Sequence, residues 1–158
     1  PSPKVLTYDT QPEMSAKTVT KELTNAMAKN EFGLIVVNYA NPDMVGHTGS
    51  LKAAIKAVET VDQCVGRVVE SVLDHDGTML LTADHGNCEV MFDEKRGIPH
   101  TAHTTNLVPT ILINAPRNVA HLKPGKLADV APTILDLMSI PKPKIMTGSS
   151  LLSVNGVV

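Results

Sequence analysis

Two short, largely apolar segments, each followed by a polar cluster, constrain the fold of this chain most. Residues 34–37 read Leu-Ile-Val-Val inside a strand-like segment, 32–39, and a second run covers residues 78–83. An apolar run that does not alternate with polar residues is typical of a strand covered on both faces, as in a parallel sheet. A third strand is predicted over 108–114, where Pro109 near the start is tolerable because its missing N–H is not yet needed.

Helices are predicted between these strands from apolar residues that recur at steps of three and four. The expected helices span residues 15–30 with Ser15 as N-cap, residues 50–74, and residues 127–138. Residues 4–8 are β-prone and predict a strand or an extended segment. Alternating strands and helices predict an α/β fold, in which ligands bind beyond the carboxyl ends of the strands.

Composition excludes several classes of protein. The 158 residues carry a formal net charge of -2 with Lys and Arg scattered, which leaves no basic surface for nucleic acid or an anionic membrane. No apolar run approaches the ~20 residues of a membrane span. Cys64 and Cys88 are the only cysteines and form no CxxC pair, so we expect two free thiols in a reducing, cytoplasmic compartment.

Three polar clusters could hold a metal ion. Asp43 and His47 are four residues apart in a glycine-containing loop, and Asp84-His85 ends the second apolar run. The third cluster holds His100 and His103, of which both, one or neither could be a ligand. Each cluster alone is also compatible with an ordinary polar turn.

Taken together, these clusters favour a metal site. Mixed Asp and His ligands suit Mn²⁺ or Zn²⁺, whereas Mg²⁺ and Ca²⁺ prefer oxygen ligands. The clusters contain no cysteine, which argues against a closed structural zinc site. His75 and His121 lie in turn-like segments away from the clusters, and we interpret both as solvated residues.

Several long motifs resemble those of the cofactor-independent phosphoglycerate mutases, of the alkaline phosphatase superfamily. They are SPKVxTYD (2–9), QPEMSA (11–16), NYANPDMVGHTG (38–49), LTADHGN (81–87), HTTN (103–106), LADVAPTIL (127–135) and MTG (146–148). The resemblance covers almost the whole chain. It implies a mostly parallel α/β sheet flanked by helices, present here as the C-terminal segment (residues 1–158) of a discontinuous phosphatase domain.

The same resemblance implies the activity. Members of the family interconvert 3-phosphoglycerate and 2-phosphoglycerate through a phosphoserine, with two Mn²⁺ or other divalent ions. The family's ligands for one ion fall on Asp43, His47 and His103, and those for the second ion fall on Asp84 and His85. The choice of His103 over His100 rests on the resemblance alone.

The resemblance also implies which parts are missing from these residues. The nucleophilic serine, an aspartate completing the second site, the inserted transferase domain and a catalytic lysine belong to other segments of the family. Ser149 and Ser150 have no metal-site context, so we nominate no catalytic residue here. We therefore expect this chain to be inactive alone, and the full-length protein to be a cytoplasmic monomer that acts on phosphoglycerate.

Two other readings stay open. A sister enzyme of the superfamily, such as a phosphopentomutase or a metal-dependent phosphatase, would share the Asp and His ligands but not the QPEMSA and NYANPD motifs. A stand-alone metal-binding module without catalysis would explain the missing nucleophile. The sequence upstream of Pro1 in the parent gene distinguishes these possibilities.

Overall fold

The computed structural model of this chain describes residues 1–154, which form helices and small two-stranded sheets. The helices are α1 (Ala16–Lys29), α2 (Asn41–Gly46), α3 (Leu51–Asp74) and α4 (Val130–Leu137). The strands are β1 (Met79–Thr82), β2 (Phe92–Asp93), β3 (Ile98–Pro99), β4 (Thr110–Ile113), β5 (Val119–Leu122) and β6 (Leu152–Val154). Two compact units are distinguished: residues 1–75 with 85–108, and residues 76–84 with 109–154.

The first unit is built on α3, the long helix that the sequence predicts. Its N-terminus is capped by Ser50, whose hydroxyl accepts a hydrogen bond from the Ala53 N–H at 3.4 Å. Small residues on one face, including Ala53 and Ala57, are buried together with Val45 of α2. Because these side chains are short, α2 can pack closely on α3 and is held in a fixed position.

Helix α1 is also as expected, with one difference at its start. It ends at Asn30, which adopts the left-handed conformation at φ 52°. Ser15 precedes the helix but its side chain does not cap it; the hydroxyl donates instead to the Pro1 carbonyl at 2.7 Å. The predicted cap is therefore wrong, although the helix boundaries are right.

The predicted buried strand over residues 34–37 is wrong. The segment belongs to no strand or helix among residues 1–154, and Val36 is 80% exposed. Its side chains form one wall of an open apolar groove of about 450 Å³, whose other wall is α1 with Val19 and Leu23. An apolar run becomes a buried strand only if neighbouring strands pair with it, and periodicity cannot show whether they do. Residues 4–8 likewise form no strand, and a 3-10 turn begins at Tyr8.

In the second unit the predicted strands are present but pair differently. β1 and β4 are antiparallel, in a register that runs from Met79 opposite Ile113 to Thr82 opposite Thr110. The mixture of helices and small sheets confirms the α/β class. All three two-stranded sheets of the described residues are antiparallel, however, and the expected parallel pairing is not found among residues 1–154. The apolar runs therefore predicted neither the direction of strand pairing nor full burial, since the residues of β1 are only half-buried and Ile111 of β4 is exposed.

Two strand pairs were not predicted. β2 and β3 form a short antiparallel pair. β5 pairs with β6 from the Pro- and Ser-rich tail, which places His121 in a strand and not in a turn. The last predicted helix begins as a 3-10 turn, Leu127–Asp129, and continues as α4.

A buried carboxylate organises the end of the second unit. Asp129 is 8% exposed, and its two oxygens accept hydrogen bonds from the Ser149 N–H at 2.8 Å and the Lys126 N–H at 2.9 Å. Thr133, fully buried on α4, accepts from the Leu151 N–H at 2.9 Å. These hydrogen bonds hold residues 149–151 against Asp129 and α4, directly before β6 begins.

Among residues 1–154, no helix combines the length and the apolar character needed to cross a lipid bilayer.

Candidate metal centre

Helix α2 places the first two candidate ligands on one face. Pro42 stands in its first turn, where a missing N–H costs no hydrogen bond, and Asp43 follows it. His47 lies four residues after Asp43, directly after the helix, and residues four apart face the same way. The His47 Nε2 atom is 3.1 Å from Asp43 Oδ1.

A third candidate ligand reaches the same oxygen from a different loop. His103 Nε2 lies 3.0 Å from Asp43 Oδ1 and 3.1 Å from His47 Nε2. Three ligand-type atoms from residues up to 60 positions apart therefore meet within hydrogen-bonding distance of one another. The side chains are part-exposed, with about a third of Asp43 and half of His103 open to solvent, so ions and substrates can reach the cluster.

The other nitrogen of His47 shows which atom is left for an ion. Nδ1 lies 2.7 Å from the Thr101 carbonyl oxygen, which can only accept, so Nδ1 carries the proton and donates. In the neutral ring Nε2 then presents a lone pair toward Asp43 and His103. Lone pairs that face each other across about 3 Å require a positive charge between them, either a proton or a metal ion.

His85 joins this cluster from the turn after β1. Its Nδ1 is 4.0 Å from Asp43 Oδ1, and its ring stacks on that of His103 with centroids 3.7 Å apart. One ligand atom from each of Asp43, His85 and His103 lies within 4.8 Å of the others. A carboxylate with surrounding imidazoles is a borderline-soft donor set that fits a divalent transition ion.

Asp84 directly precedes His85 in the chain and belongs to the second unit. It is exposed at the end of the segment that follows β1. The structure thus brings together four of the five predicted ligands (Asp43, His47, His85 and His103) within the first unit.

The remaining histidines lie elsewhere. His100 is not part of the metal-type cluster found among residues 1–154; its backbone N–H donates to the Met91 carbonyl at 3.0 Å. His75 ends α3 with Nδ1 2.7 Å from the Ser71 carbonyl oxygen, and His121 lies in β5. Both side chains are exposed, as the sequence-based interpretation of solvated residues predicts.

Sequence reasoning missed two polar residues that touch the site. Asn87 is 5% exposed, and its Nδ2 donates to Asp43 Oδ1 at 2.8 Å and to the Asp43 carbonyl at 3.2 Å. Glu89 accepts from the Asn87 N–H at 2.6 Å, from the Thr104 hydroxyl, and from Asn106 Nδ2 at 3.1 Å. The sequence signal that could have found them is their position, two and four residues after His85. Their contacts were not predictable, because Asn87 binds Asp43, 44 residues away, and Glu89 binds Thr104, 15 residues away.

Hydrogen bonding and burial set the charge states of two groups beside the cluster. The Thr104 hydroxyl, followed by other donors, lowers the pKa of the Glu89 carboxyl and keeps it ionised. Burial raises the pKa of the Cys88 thiol, which donates to the Pro42 carbonyl oxygen at 2.7 Å. Cys64 and Cys88 are both free thiols, as expected.

Comparison with known proteins supports the geometric reading. The model of the Metalloenzyme superfamily matches residues 1–142. The chain is 61% identical over 151 residues to the 2,3-bisphosphoglycerate-independent phosphoglycerate mutase of Cereibacter sphaeroides (strain ATCC 17029 / ATH 2.4.9), covering 96% of this chain and 29% of that protein. It is 60% identical over 153 residues to the enzyme of the same name from Syntrophotalea carbinolica, covering 96% of this chain and 30% of that protein.

A solved structure gives the same relationship. Leishmania mexicana phosphoglycerate mutase, determined at low cobalt concentration, superposes with a TM-score of 0.88 at 30% identity, covering 98% of this chain and 31% of that chain. The chain thus spans about 30% of the length of these relatives. A family model that matches nine-tenths of the residues, over a cluster of one carboxylate and three imidazoles, establishes that the chain belongs to the Metalloenzyme superfamily.

Proposed function

We propose that this chain is the metal-holding, C-terminal segment of a cofactor-independent phosphoglycerate mutase. In the full-length protein it would help interconvert 3-phosphoglycerate and 2-phosphoglycerate through a phosphoserine. The observation that carries the proposal is the approach of His47 Nε2 and His103 Nε2 to within 3.1 Å of Asp43 Oδ1. The identity of about 60% with a region of named mutases supports the choice of reaction.

The proposal assigns ligands to two divalent ions, with Mn²⁺ as the expected metal. Asp43, His47 and His103 would hold one ion, and Asp84 with His85 would hold the second. When bound, such ions neutralise phosphoryl oxygens and favour the ionised form of an attacking hydroxyl. The distance of 4.0 Å between His85 Nδ1 and Asp43 Oδ1 supports neighbouring roles for these two residues.

The residues of this chain hold and orient the site. The Thr101 carbonyl fixes the His47 ring so that Nε2 faces Asp43, and the Asn87 amide fixes the Asp43 carboxylate. The nucleophilic serine and the catalytic lysine belong to segments outside these residues. The full-length protein would be a cytoplasmic monomer, with residues 1–158 as one segment of its discontinuous phosphatase domain.

Calorimetric titration of the full 158-residue chain with Mn²⁺ tests the metal site. We expect one tight and one weaker site, because three ligands serve the first ion and two serve the second. His103→Ala should abolish the tight site, whereas His75→Ala should bind as the parent does. Equal affinities at two sites, unchanged binding in His103→Ala, or loss of binding in His100→Ala alone would contradict the ligand assignment.

A coupled assay for 2-phosphoglycerate tests the assignment of the nucleophile to another segment. The purified chain with Mn²⁺ should show no mutase activity, since no serine of residues 1–158 is assigned as phosphoryl acceptor. His103→Ala serves as the control for contaminating host enzyme. Activity above background that disappears in that control would show that a residue of this chain accepts the phosphoryl group.

A further inference from the structure

One short turn, residues 85–89, carries the candidate ligand His85 and contacts both α2, which carries Asp43, and the loop that carries His103. On one side of this turn, Asn87 contacts Asp43; on the other, Glu89 contacts the loop that begins at His103. The turn also contributes His85 itself. It therefore touches every part of the cluster in the first unit except His47.

The contact to Asp43 controls the direction of its carboxylate. Asn87 Nδ2 donates both to Oδ1 and to the backbone carbonyl of Asp43, at 2.8 Å and 3.2 Å. Two bonds from one amide to one residue fix the side-chain torsions relative to α2. Oδ1 is the atom that His47 and His103 approach, so this amide sets where they meet.

The contact to the His103 loop controls the position of that histidine. Glu89 accepts hydrogen bonds from Thr104 and Asn106, the first and third residues after His103. A backbone bond from the Thr104 N–H to the Gly86 carbonyl, at 2.9 Å, reinforces the junction. The Asn87 N–H donates to the second Glu89 oxygen at 2.6 Å, so the carboxylate connects both sides.

Two glycines make room for this arrangement. A Cβ on Gly86 would overlap the Glu89 carboxylate and the Thr104 hydroxyl, and a Cβ on Gly46 would overlap Asn87 Oδ1. With any larger residue at position 46 or 86, the side chains of Asn87 and Glu89 could not lie this close to the backbone. The close packing on both sides of the turn shows that Asn87 and Glu89 are seated against the loops and do not merely lie near them.

We propose that Asn87 and Glu89 are positioning residues of the metal centre: Asn87 orients Asp43, and Glu89 holds the His103 loop on the turn that carries His85. The inference rests on the proposed metal site but assigns roles that the ligand set alone does not. Neither residue is a ligand in this assignment. Each acts through the hydrogen bonds that hold a ligand in place, and loss of such outer partners costs roughly 10–100-fold in metal affinity.

The test uses the full 158-residue chain with Mn²⁺ titration and Co²⁺ absorption spectroscopy. Asn87→Ala, Glu89→Ala and the isosteric Glu89→Gln are compared with Glu94→Gln, an exposed acidic residue of the β2–β3 turn. We expect Glu89→Ala and Asn87→Ala to weaken Mn²⁺ binding about 10–100-fold, Glu89→Gln less, and Glu94→Gln not at all. At saturating Co²⁺ the spectra of the two alanine variants should differ from that of the parent, because the ligands are held in a different geometry.

The outcomes separate this inference from the proposed function. Parent-like affinity and Co²⁺ spectrum in Glu89→Ala and Asn87→Ala, with binding lost in His103→Ala, overturn the positioning roles and leave the metal site intact. Parent-like binding in His103→Ala overturns the metal site itself. A measurement without metal tests whether Glu89 holds the His103 loop on the turn. Hydrogen exchange of the Thr104 amide should accelerate in Glu89→Ala, and unchanged exchange overturns this role of Glu89. If Glu89→Ala does not fold, Glu89→Gln gives the same readouts.

Discussion

Asp43 in the first unit and Asp129 in the second are both carboxylates with several polar neighbours, but these neighbours belong to different chemical classes. Asp129 accepts from two backbone N–H groups, which cannot lose their protons or move away from the chain. Asp43 faces two imidazole nitrogens and one amide, and an imidazole nitrogen can offer a lone pair as readily as a proton. The first arrangement is complete without an ion, and the second is suited to holding one.

The difference teaches how to distinguish a structural carboxylate from a ligand in a sequence with many acidic residues. Asp129 closes the junction between α4 and the tail, is 8% exposed, and has both oxygens occupied by the chain. Asp43 remains about one-third exposed, and His47, Asn87 and His103 reach it from three different segments of the chain. We expect substitutions at the two positions to fail in opposite ways.

Asp43→Ala should have the largest effect on metal binding. It removes the oxygen on which His47 and His103 converge, so Mn²⁺ affinity should fall by more than the roughly 10–100-fold that an outer-shell loss costs. The thermal unfolding midpoint of the metal-free chain should change little, because Asp43 is part-exposed and its carboxylate accepts from the side-chain amide of Asn87, not from a backbone N–H. Calorimetry and circular dichroism measure the two effects; retained affinity with a large drop in the midpoint would reverse the comparison.

Asp129→Ala should produce the opposite pattern. The Ser149 and Lys126 N–H groups lose their acceptor, and the tail is no longer fastened to α4, so the unfolding midpoint should fall by several degrees. Mn²⁺ binding by the folded fraction should match that of the parent chain. Asp136→Ala, on the same helix, is the matched control, and equal destabilisation by both substitutions would show that Asp129 has no special role.

Gly46→Ala should sharpen the comparison with a smaller effect. The added methyl group overlaps Asn87 Oδ1 and must displace the amide that orients Asp43. We expect Mn²⁺ affinity to drop by about 10-fold, at the low end of outer-shell effects. Gly66→Ala on α3 is the control, because a Cβ there meets no atom within 4 Å; it should leave binding unchanged.

The smallest expected effect is a difference in acid stability. The Ser149 amide, followed by the Lys126 amide, lowers the pKa of Asp129 in the folded chain. The resulting stabilisation is complete above the unfolded value of about 3.9 and is lost as pH falls through the lowered folded value. The unfolding midpoint of the parent should therefore decline more steeply below about pH 4 than that of Asp129→Asn. Parallel pH profiles would contradict the assignment of the ionised form to the junction.

Sequence reasoning succeeded where the signal was local. The apolar spacing of residues 50–74 predicted α3 almost to the residue, since a helix that buries one face repeats that face every turn. The apolar segment 78–83 predicted β1, and the polar residues directly after it predicted the position of His85. The spacing of Asp43 and His47 allowed both to face one ion, although the segment expected to be a loop forms helix α2.

The failures concern partners that are distant in sequence. Residues 34–37 have the composition of a buried strand, but only the surrounding chain decides whether a strand pairs with them. β5 and β6 pair across about 30 residues of sequence, and neither has a long apolar run. Asn87 and Glu89 contact Asp43 and Thr104 through loop geometry that no periodicity encodes.

The Cys88 thiol has a consequence for metal selectivity. It lies beside α2, donating to the Pro42 carbonyl, and burial keeps it protonated. Because sulfur binds soft ions as the thiolate, copper(I) or zinc would have to displace the thiol proton and its hydrogen bond to Pro42 before it could use this atom. The raised pKa therefore favours oxygen and nitrogen over the Cys88 sulfur as ligands for an ion arriving at Asp43, and it lowers the fraction of thiolate that oxidants can attack.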